Sequence, residues 1–153
     1  MMQDKDGTKR ELRAQGTTGS VLPYADVTEK IIGCAYAVYN KMGFGFLESV
    51  YEKCMVIELR KAGLDVAAQQ PVKVSYEGEL VGDFVADLLV EGHVIVELKS
   101  AFRLSPAHDA QLSNYLAATA MPVGLLINFG ESSVEVRRKT PRIALGQPAG
   151  GIR

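Results

Sequence analysis

The stretch that most constrains this fold is residues 81–100, VGDFVADLLVEGHVIVELKS, which predicts two apolar β-strands joined by a tight turn at Glu91-Gly92. An ionised group among apolar strand residues is costly unless a partner compensates its charge. A divalent cation bound by carboxylates, with a lysine nearby, would supply that compensation. The alternative is a Glu97–Lys99 charge pair on a solvated strand, with Asp87 as a strand-end acid. Outside the turn, which holds Glu91 and His93, four ionisable side chains stand among the Val, Leu and Ile residues of this stretch: Asp83, Asp87, Glu97 and Lys99.

The length of the turn decides whether the two central acids meet, because successive strand residues face opposite sides of a sheet. A strict two-residue turn would pair Val90 with His93 and leave Asp87 and Glu97 on opposite faces. One further residue in the turn, or a bulge, pairs Val90 with Val94 and sets Asp87 opposite Glu97, with β-carbons about 5 Å apart. The metal-site hypothesis therefore requires an odd-length connection.

Length and composition predict a single soluble domain. The 153 residues suffice for one hydrophobic core, and a content of 47% hydrophobic and 23% charged residues is ordinary for a globular protein. We expect a flexible leader over residues 1–25, a folded domain over 26–139 and a flexible tail over 140–153. No apolar run is long enough to span a membrane, and the charged N-terminus is unlike a signal peptide. Cys34 and Cys54 have no metal-ligand spacing, so reduced thiols in a cytoplasmic protein are expected.

Charge is distributed unevenly along the chain. Residues 26–136 carry eight basic and fifteen acidic side chains, a net −7, although the whole chain has a net charge of −1. This distribution argues against phosphate binding by a simple basic surface. Bound cations would still let an acidic centre act on nucleic acid. The basic run Arg137-Arg138-Lys139, with Arg142, is interpreted either as phosphate contacts or as a solvated tail, and the tail is favoured.

Hydrophobic periodicity predicts three helices and five strands in the order α-α-β-β-β-α-β-β. Asp26 or Thr28 is the expected cap of the first helix, which runs to about Lys41. The second and third helices cover about 47–62 and 107–120. Strands are expected from residue 66 to 76, along both arms of the central hairpin, over 123–129 and over 133–137. A three-strand meander followed by a crossover helix implies an α/β fold with a mixed central sheet flanked by helices.

Five short segments within residues 26–139 occur in the order that one family shows. They are G-x-x-E-x-x-Y at 45–51, ADLLV at 86–90, VIVELK at 94–99, QLSNYL at 111–116 and GLLINFG at 124–130. Together they resemble the GxxExxY protein family, a branch of the PD-(D/E)xK nuclease-like superfamily. Each segment is a weak signal alone, whereas the ordered set is specific. One departure is Ala86, which stands where the name of the superfamily calls for proline.

The resemblance implies a restriction-endonuclease-like core and a site that transfers residue by residue. Asp87 and Glu97 match the two metal-binding acids, and Lys99 matches the lysine of the E-x-K element. Glu48 matches an acid on the preceding helix. The implied cofactor is Mg²⁺ or Mn²⁺, bound by Asp87, Glu97 and Glu48. From the residues alone, Glu48 would be a first-turn acid favoured by the helix dipole.

Positions on the third helix complete the expected site. Gln111 and Tyr115 match a Q-x-x-x-Y helix found in several nucleases of the superfamily, and their spacing of four puts them on one helical face. Without the resemblance they would be a polar contact beside a core aromatic. His108 lies three residues before Gln111 and would face the same cleft, although an exposed helix-start histidine is the favoured interpretation.

The expected activity is hydrolysis of phosphodiester bonds in nucleic acid, with DNA favoured over RNA and Lys99 positioning water or stabilising developing charge. Two other functions stay open: a non-catalytic nucleic-acid- or protein-binding module on the same fold, and a hydrolase of small phosphate esters. The acidic domain favours the module, and the complete set of acids and lysine favours the enzyme. No membrane partner is expected, and a homodimer would let so small a domain span a duplex.

Overall fold

The computed structural model describes residues 22–142, in which three helices and five strands follow the predicted order. Residues 1–21 and 143–153, which hold most of the predicted leader and tail, lie outside the described part. No helix within residues 22–142 is both long and apolar enough to cross a membrane. The elements are α1 Ala25–Met42, α2 Glu48–Lys61, β1 Val66–Tyr76, β2 Glu79–Val90, β3 Val94–Lys99, α3 Pro106–Thr119, β4 Val123–Phe129 and β5 Val134–Lys139.

The strands form one sheet in the order β1-β2-β3-β4-β5. The pair β3–β4 is parallel, with α3 as the crossover between them, and the other neighbouring pairs are antiparallel. This is the predicted mixed sheet. Every residue of β4 is buried, as expected for a strand with helices packed on both faces.

Two apolar clusters attach the helices to opposite faces of the sheet. Leu125 and Leu126, neighbours on β4, belong to different clusters, the first with α1 and α2 and the second with α3. The α3 layer packs closely because β4 carries a glycine beneath it: a Cβ at Gly124 would lie only 3.1 Å from a methyl group of Leu116. The central strands β3 and β4 are therefore enclosed between an α1–α2 layer and α3, whereas most of β1 and the first half of β2 are more exposed.

The start of α1 differs from the prediction. The helix begins at Ala25, after Tyr24 in the left-handed conformation, so neither Asp26 nor Thr28 caps it. The Thr28 hydroxyl instead lies inside the first turns, where it donates to the Ala25 carbonyl at 3.1 Å and accepts from Arg138 of β5 at 3.1 Å. The Thr28 side chain, which the local pattern assigned to the helix cap, thus binds Arg138, 110 positions away in the sequence.

Strand β2 does not keep a regular alternation. Ala86 packs with the α3 cluster and Leu88 with the α1–α2 cluster, although residues two apart share a face in a regular strand. A regular strand would put Asp83 and Asp87, four residues apart, on one face, and this common face is not formed. Asp83 is exposed and lies opposite Lys73 of β1 in the strand register. Asp87 lies between Ala86 and Leu88, where the alternation breaks.

Candidate active site

The turn between β2 and β3 has the odd length that the metal-site hypothesis requires. It contains Glu91, Gly92 and His93, and the backbone pairing starts at Val90–Val94. Both Glu91 and Gly92 have positive φ, 53° and 69°, which lets the chain reverse with the extra residue. The register that sets Asp87 opposite Glu97 is therefore confirmed.

Asp87 and Glu97 meet just beyond the last backbone pair, Leu88–Val96. The Asp87 N–H donates to Glu97 Oε1 at 3.4 Å, and the Leu98 N–H donates to Asp87 Oδ2 at 2.8 Å. Each carboxylate thus accepts a hydrogen bond from a backbone N–H of the opposite strand. These bonds replace the backbone-to-backbone hydrogen bonds that would otherwise continue between β2 and β3. The two acids are brought together in the gap that this exchange opens.

The environment of Glu97 opposes its ionisation. Burial, and then the negative charge of Asp87, raise the pKa of Glu97 to about 8, although the Asp87 N–H and the Lys99 ammonium act in the other direction. In the metal-free protein at neutral pH this carboxyl is therefore mostly protonated. A cation bound between the two acids would favour the ionised form of Glu97 and so oppose both the burial and the charge of Asp87 that raise its pKa.

Asp87 also has a partner on its other neighbouring strand, β1. Gln69 lies opposite it and has a left-handed backbone (φ 50°). The regular strand pairing runs from Ala68–Leu88 directly to Gln70–Ala86 and leaves Gln69 out. The Gln69 amide donates to Glu52 Oε2 at 2.7 Å and to Asp87 Oδ1 at 3.4 Å. A hydrogen-bonded chain therefore connects α2 to the Asp87 carboxylate.

Glu52 and Gln69 did not appear among the predicted site residues. Glu52 follows Glu48 by four positions, so the helical spacing already put both acids on one face of α2, and that signal was sufficient to identify it. Gln69 carries no comparable signal, because only its backbone conformation and its position opposite Asp87 single it out.

A pocket of about 140 Å³ opens between β3 and α3 beside the acid pair. Lys99 and Glu97 border it from the strand, as their common face predicted, and Gln111 and Tyr115 border it from the helix. The Tyr115 ring stacks on Phe84 of β2 at a centroid distance of 4.0 Å, which holds the phenol at the rim. The lining residues are Phe84, Glu97, Lys99, His108, Gln111, Leu112, Tyr115 and Leu126.

His108 lies in the first turn of α3, as the favoured interpretation had it, but it is half-buried rather than exposed and borders this pocket. Its Nδ1 accepts from the Ser105 N–H at 3.3 Å, immediately before α3 begins. This contact uses the ring as a helix-start acceptor and leaves Nε2 as the nitrogen that carries the proton in the neutral ring.

Glu48 makes no side-chain contact with the acid pair among the hydrogen bonds and ion pairs of residues 22–142. It is the exposed first residue of α2, and within residues 22–142 its side chain makes no hydrogen bond or ion pair. The tyrosine of the same motif is structural: Tyr51 is fully buried, stacks on Phe129 at 4.2 Å and donates its hydroxyl proton to the Gly43 carbonyl. The role of Glu48 as a third metal ligand stays a prediction.

The donor set of Asp87 and Glu97 fits a hard divalent cation, because carboxylate oxygens are its preferred ligands and the pair lacks full compensation. Within residues 22–142, no group of three or more His, Cys, Asp and Glu side chains is arranged to hold a metal ion. The two acids would therefore hold a cation together with water or substrate oxygens, as Mg²⁺ commonly does.

The basic run Arg137-Arg138-Lys139 is neither a solvated tail nor a free phosphate-binding patch, whereas Arg142, which was predicted with it, is exposed. Its side chains are half-buried on β5. Arg137 pairs with Asp109 of α3 and with Glu135 at 2.8 Å, and Lys139 pairs with Asp109 at 2.6 Å. Arg138 instead holds the segment before α1 through Thr28 and the Pro23 carbonyl. These contacts tie β5 to α3 and α1.

Comparison with known proteins identifies a family whose model spans most of the chain. A family model described as the PD-(D/E)XK nuclease superfamily matches residues 25–139. The crystal structure of a protein named SSO0001 is 15% identical, with a TM-score of 0.48, and the match covers 79% of this chain and 61% of that one. No curated protein is significantly similar to this chain. The narrower assignment to the GxxExxY branch stays a prediction.

Proposed function

The chain belongs to the PD-(D/E)XK nuclease superfamily, and from this premise we propose that it is a metal-dependent nuclease hydrolysing phosphodiester bonds, in DNA rather than RNA. One observation carries the proposal: Asp87 and Glu97 exchange hydrogen bonds with each other's strand at the edge of a pocket that Lys99 borders. Acids this close, one with a raised pKa, lower the stability of the metal-free fold. A functional role is the best reason for their arrangement.

Asp87 and Glu97 are the proposed ligands of Mg²⁺ or Mn²⁺, with Glu48 as a third acid from α2. A bound divalent cation supplies Lewis-acid activation of water and of a phosphoryl oxygen. The chain Glu52–Gln69–Asp87 supports this proposal because it restrains the Asp87 carboxylate from the side opposite Glu97. Such outer contacts orient a ligand and are needed for full affinity.

The remaining proposed roles belong to side chains around the pocket. The Lys99 ammonium would hold the attacking water in line or stabilise negative charge as it develops on the phosphoryl oxygens. The Gln111 amide and the Tyr115 hydroxyl would orient Lys99 or a phosphate of the substrate, since both side chains border the pocket from α3. Hydrolysis adds water across one P–O ester bond and yields a phosphate monoester and an alcohol.

A second candidate function is a binding module that retains the fold without catalysis. The internal pairing of Arg137 and Lys139 with Asp109 favours it, because these cations are then not free to contact phosphates. Calorimetric titration with Mn²⁺ separates the two functions. The nuclease should bind Mn²⁺ and lose this binding in Glu97→Ala, whereas a module without a metal site should show no heat of binding.

The direct test is a cleavage assay with Mg²⁺ or Mn²⁺ over single- and double-stranded DNA and RNA and over mononucleotides. We expect cleavage of a polynucleotide by the wild type and none by Glu97→Ala. Glu29→Ala is the matched control, because Glu29 is an exposed acid on α1. Equal cleavage by wild type and Glu97→Ala would refute the proposed site, and cleavage of mononucleotides alone would refute the proposed substrate.

A further inference from the structure

An exposed aromatic surface lies beside the candidate active site. Three of the five phenylalanines, all of which fall in the described part, are exposed: Phe44, Phe46 and Phe102, at 37%, 42% and 74%. The rings of Phe44 and Phe102 lie 5.7 Å apart, so side chains from two distant segments form one surface. Phe46 and Leu47, the latter 72% exposed, stand in the same segment as Phe44, between α1 and α2. We call these four residues the aromatic surface.

The aromatic surface is attached to the strand that carries the acid and the lysine. Phe102 follows Lys99 by three residues, in the loop that leaves the end of β3. The Ser100 hydroxyl donates to the Phe46 carbonyl at 2.7 Å, which fixes the loop between α1 and α2 against that strand end. A polymer whose phosphate lies in the pocket would therefore pass this surface.

The charge next to the aromatic surface suits a nucleotide strand. Arg103 is exposed beside Phe102 and makes no ion pair with any residue in the 22–142 range. Aromatic rings stack on bases, and an adjacent arginine contacts the phosphate or stacks as well. A continuous duplex offers no free base face, and an acidic domain whose β5 cations are internally paired holds a duplex backbone poorly.

We propose that the aromatic surface and Arg103 bind unpaired bases, so that the substrate is single-stranded nucleic acid or the unpaired end of a longer one. This inference rests on the proposed nuclease function and specifies its substrate class. Phe102 supplies the main stacking platform because it is the most exposed ring, and Phe44 supports it from the loop after α1. Sequence preference would be weak, since every base has a π-face.

The test measures binding of fluorescein-labelled oligo(dT), oligo(rU) and a duplex of equal length by fluorescence anisotropy, in Ca²⁺ and in the Lys99→Ala background to prevent cleavage. The full chain carries Phe102→Ala, Phe102→Trp or the control Tyr76→Ala. Tyr76 is an exposed aromatic at the far end of β1. We expect single strands to bind more tightly than duplex and Phe102→Ala to weaken single-strand binding roughly tenfold. Phe102→Trp should retain binding, and Tyr76→Ala should leave it unchanged.

Three results would overturn the inference: tighter binding of duplex, equal binding by Phe102→Ala and wild type, or a dimer that Phe102→Ala dissociates while strand binding is unaffected. Cleavage by the otherwise wild-type chain separates this inference from the proposed function. Cleavage of single strands that is insensitive to Phe102→Ala refutes the aromatic surface alone. Binding through Phe102 without cleavage refutes the nuclease and leaves the aromatic surface as a strand-binding site.

Discussion

Asp87 and Glu97 contact each other at the point where β2 and β3 stop pairing, the Asp87 N–H donating to Glu97 Oε1 at 3.4 Å. The strands separate there because each acid accepts a backbone hydrogen bond from the opposite strand. A sheet interior would normally exclude two carboxylates, so this separation makes their proximity compatible with the fold. The predictions below follow from the contacts around this pair.

The stability of the metal-free protein should depend on pH through Glu97. Its pKa is raised to about 8 in the fold, so its contribution is complete below the unfolded value near 4.5 and is lost as pH rises through 8. Since one pKa unit corresponds to about 1.4 kcal/mol, the loss amounts to a few kcal/mol. Glu97→Gln imitates the protonated acid and should therefore be more stable than the wild type at pH 8 and close to it at pH 4, below the unfolded pKa.

Urea unfolding in EDTA at several pH values measures this difference, with Glu29→Gln as the control on the exposed face of α1. Comparing each variant with the wild type at the same pH cancels other titrating groups, such as Asp109, whose pKa is lowered by Lys139 and Arg137. A stability difference between Glu97→Gln and wild type that does not change with pH would contradict the assigned cause.

Lys99→Ala should abolish cleavage and retain metal binding. The ammonium borders the pocket and does not bind the metal. Its loss removes the stabilisation of developing negative charge, which should lower kcat by about 10²- to 10³-fold. Single-turnover cleavage and Mn²⁺ calorimetry measure the two effects separately. Lys30→Ala, an exposed lysine of α1, is the control. Cleavage by Lys99→Ala at the rate of the control would remove the proposed role.

Gln69→Ala should weaken Mn²⁺ binding roughly tenfold, because the contact between α2 and the Asp87 carboxylate is lost. The backbone at position 69 is left-handed, and alanine and glutamine are similarly strained there because both have a Cβ. The difference between Gln69→Ala and the wild type therefore reports the loss of the amide group. Gln70→Ala is a close control, since the Gln70 amide reaches only the neighbouring Pro71 carbonyl. Calorimetry should give a change at Gln69 alone, and equal affinities for the two variants would oppose the proposed restraint.

Tyr51→Phe should lower stability by about 1 kcal/mol and leave cleavage intact. The variant keeps the ring stacked on Phe129 but removes the hydroxyl that donates to the Gly43 carbonyl. Chemical denaturation measures the loss, and Tyr36→Phe on the exposed face of α1 serves as the reference. A loss of cleavage without a loss of stability would instead assign this tyrosine a role in catalysis.

Local pattern was sufficient for the order of the elements and for which side chains share a face of one helix or strand. Periods of two and 3.6 residues identify strands and helices because each side chain responds to neighbours a few positions away. The same spacing put Gln111 and Tyr115 on one face of α3 and Glu97 and Lys99 on one face of β3, and all four border the pocket. Which acids, lysine and tyrosine belong to the site came from the resemblance of ordered segments, and their chemical roles stay predictions.

By itself the sequence determined the α/β fold class, the order of helices and strands and the shared faces of four of the eight residues that line one pocket, but it left two turn lengths open between Asp87 and Glu97. Only the tertiary structure decided the three-residue turn, the left-handed Gln69 opposite Asp87 and the pairing of Arg137 and Lys139 with Asp109. The physical reason is distance along the chain. These contacts form when separate elements pack together, and no short-range periodicity records which side chains will then meet.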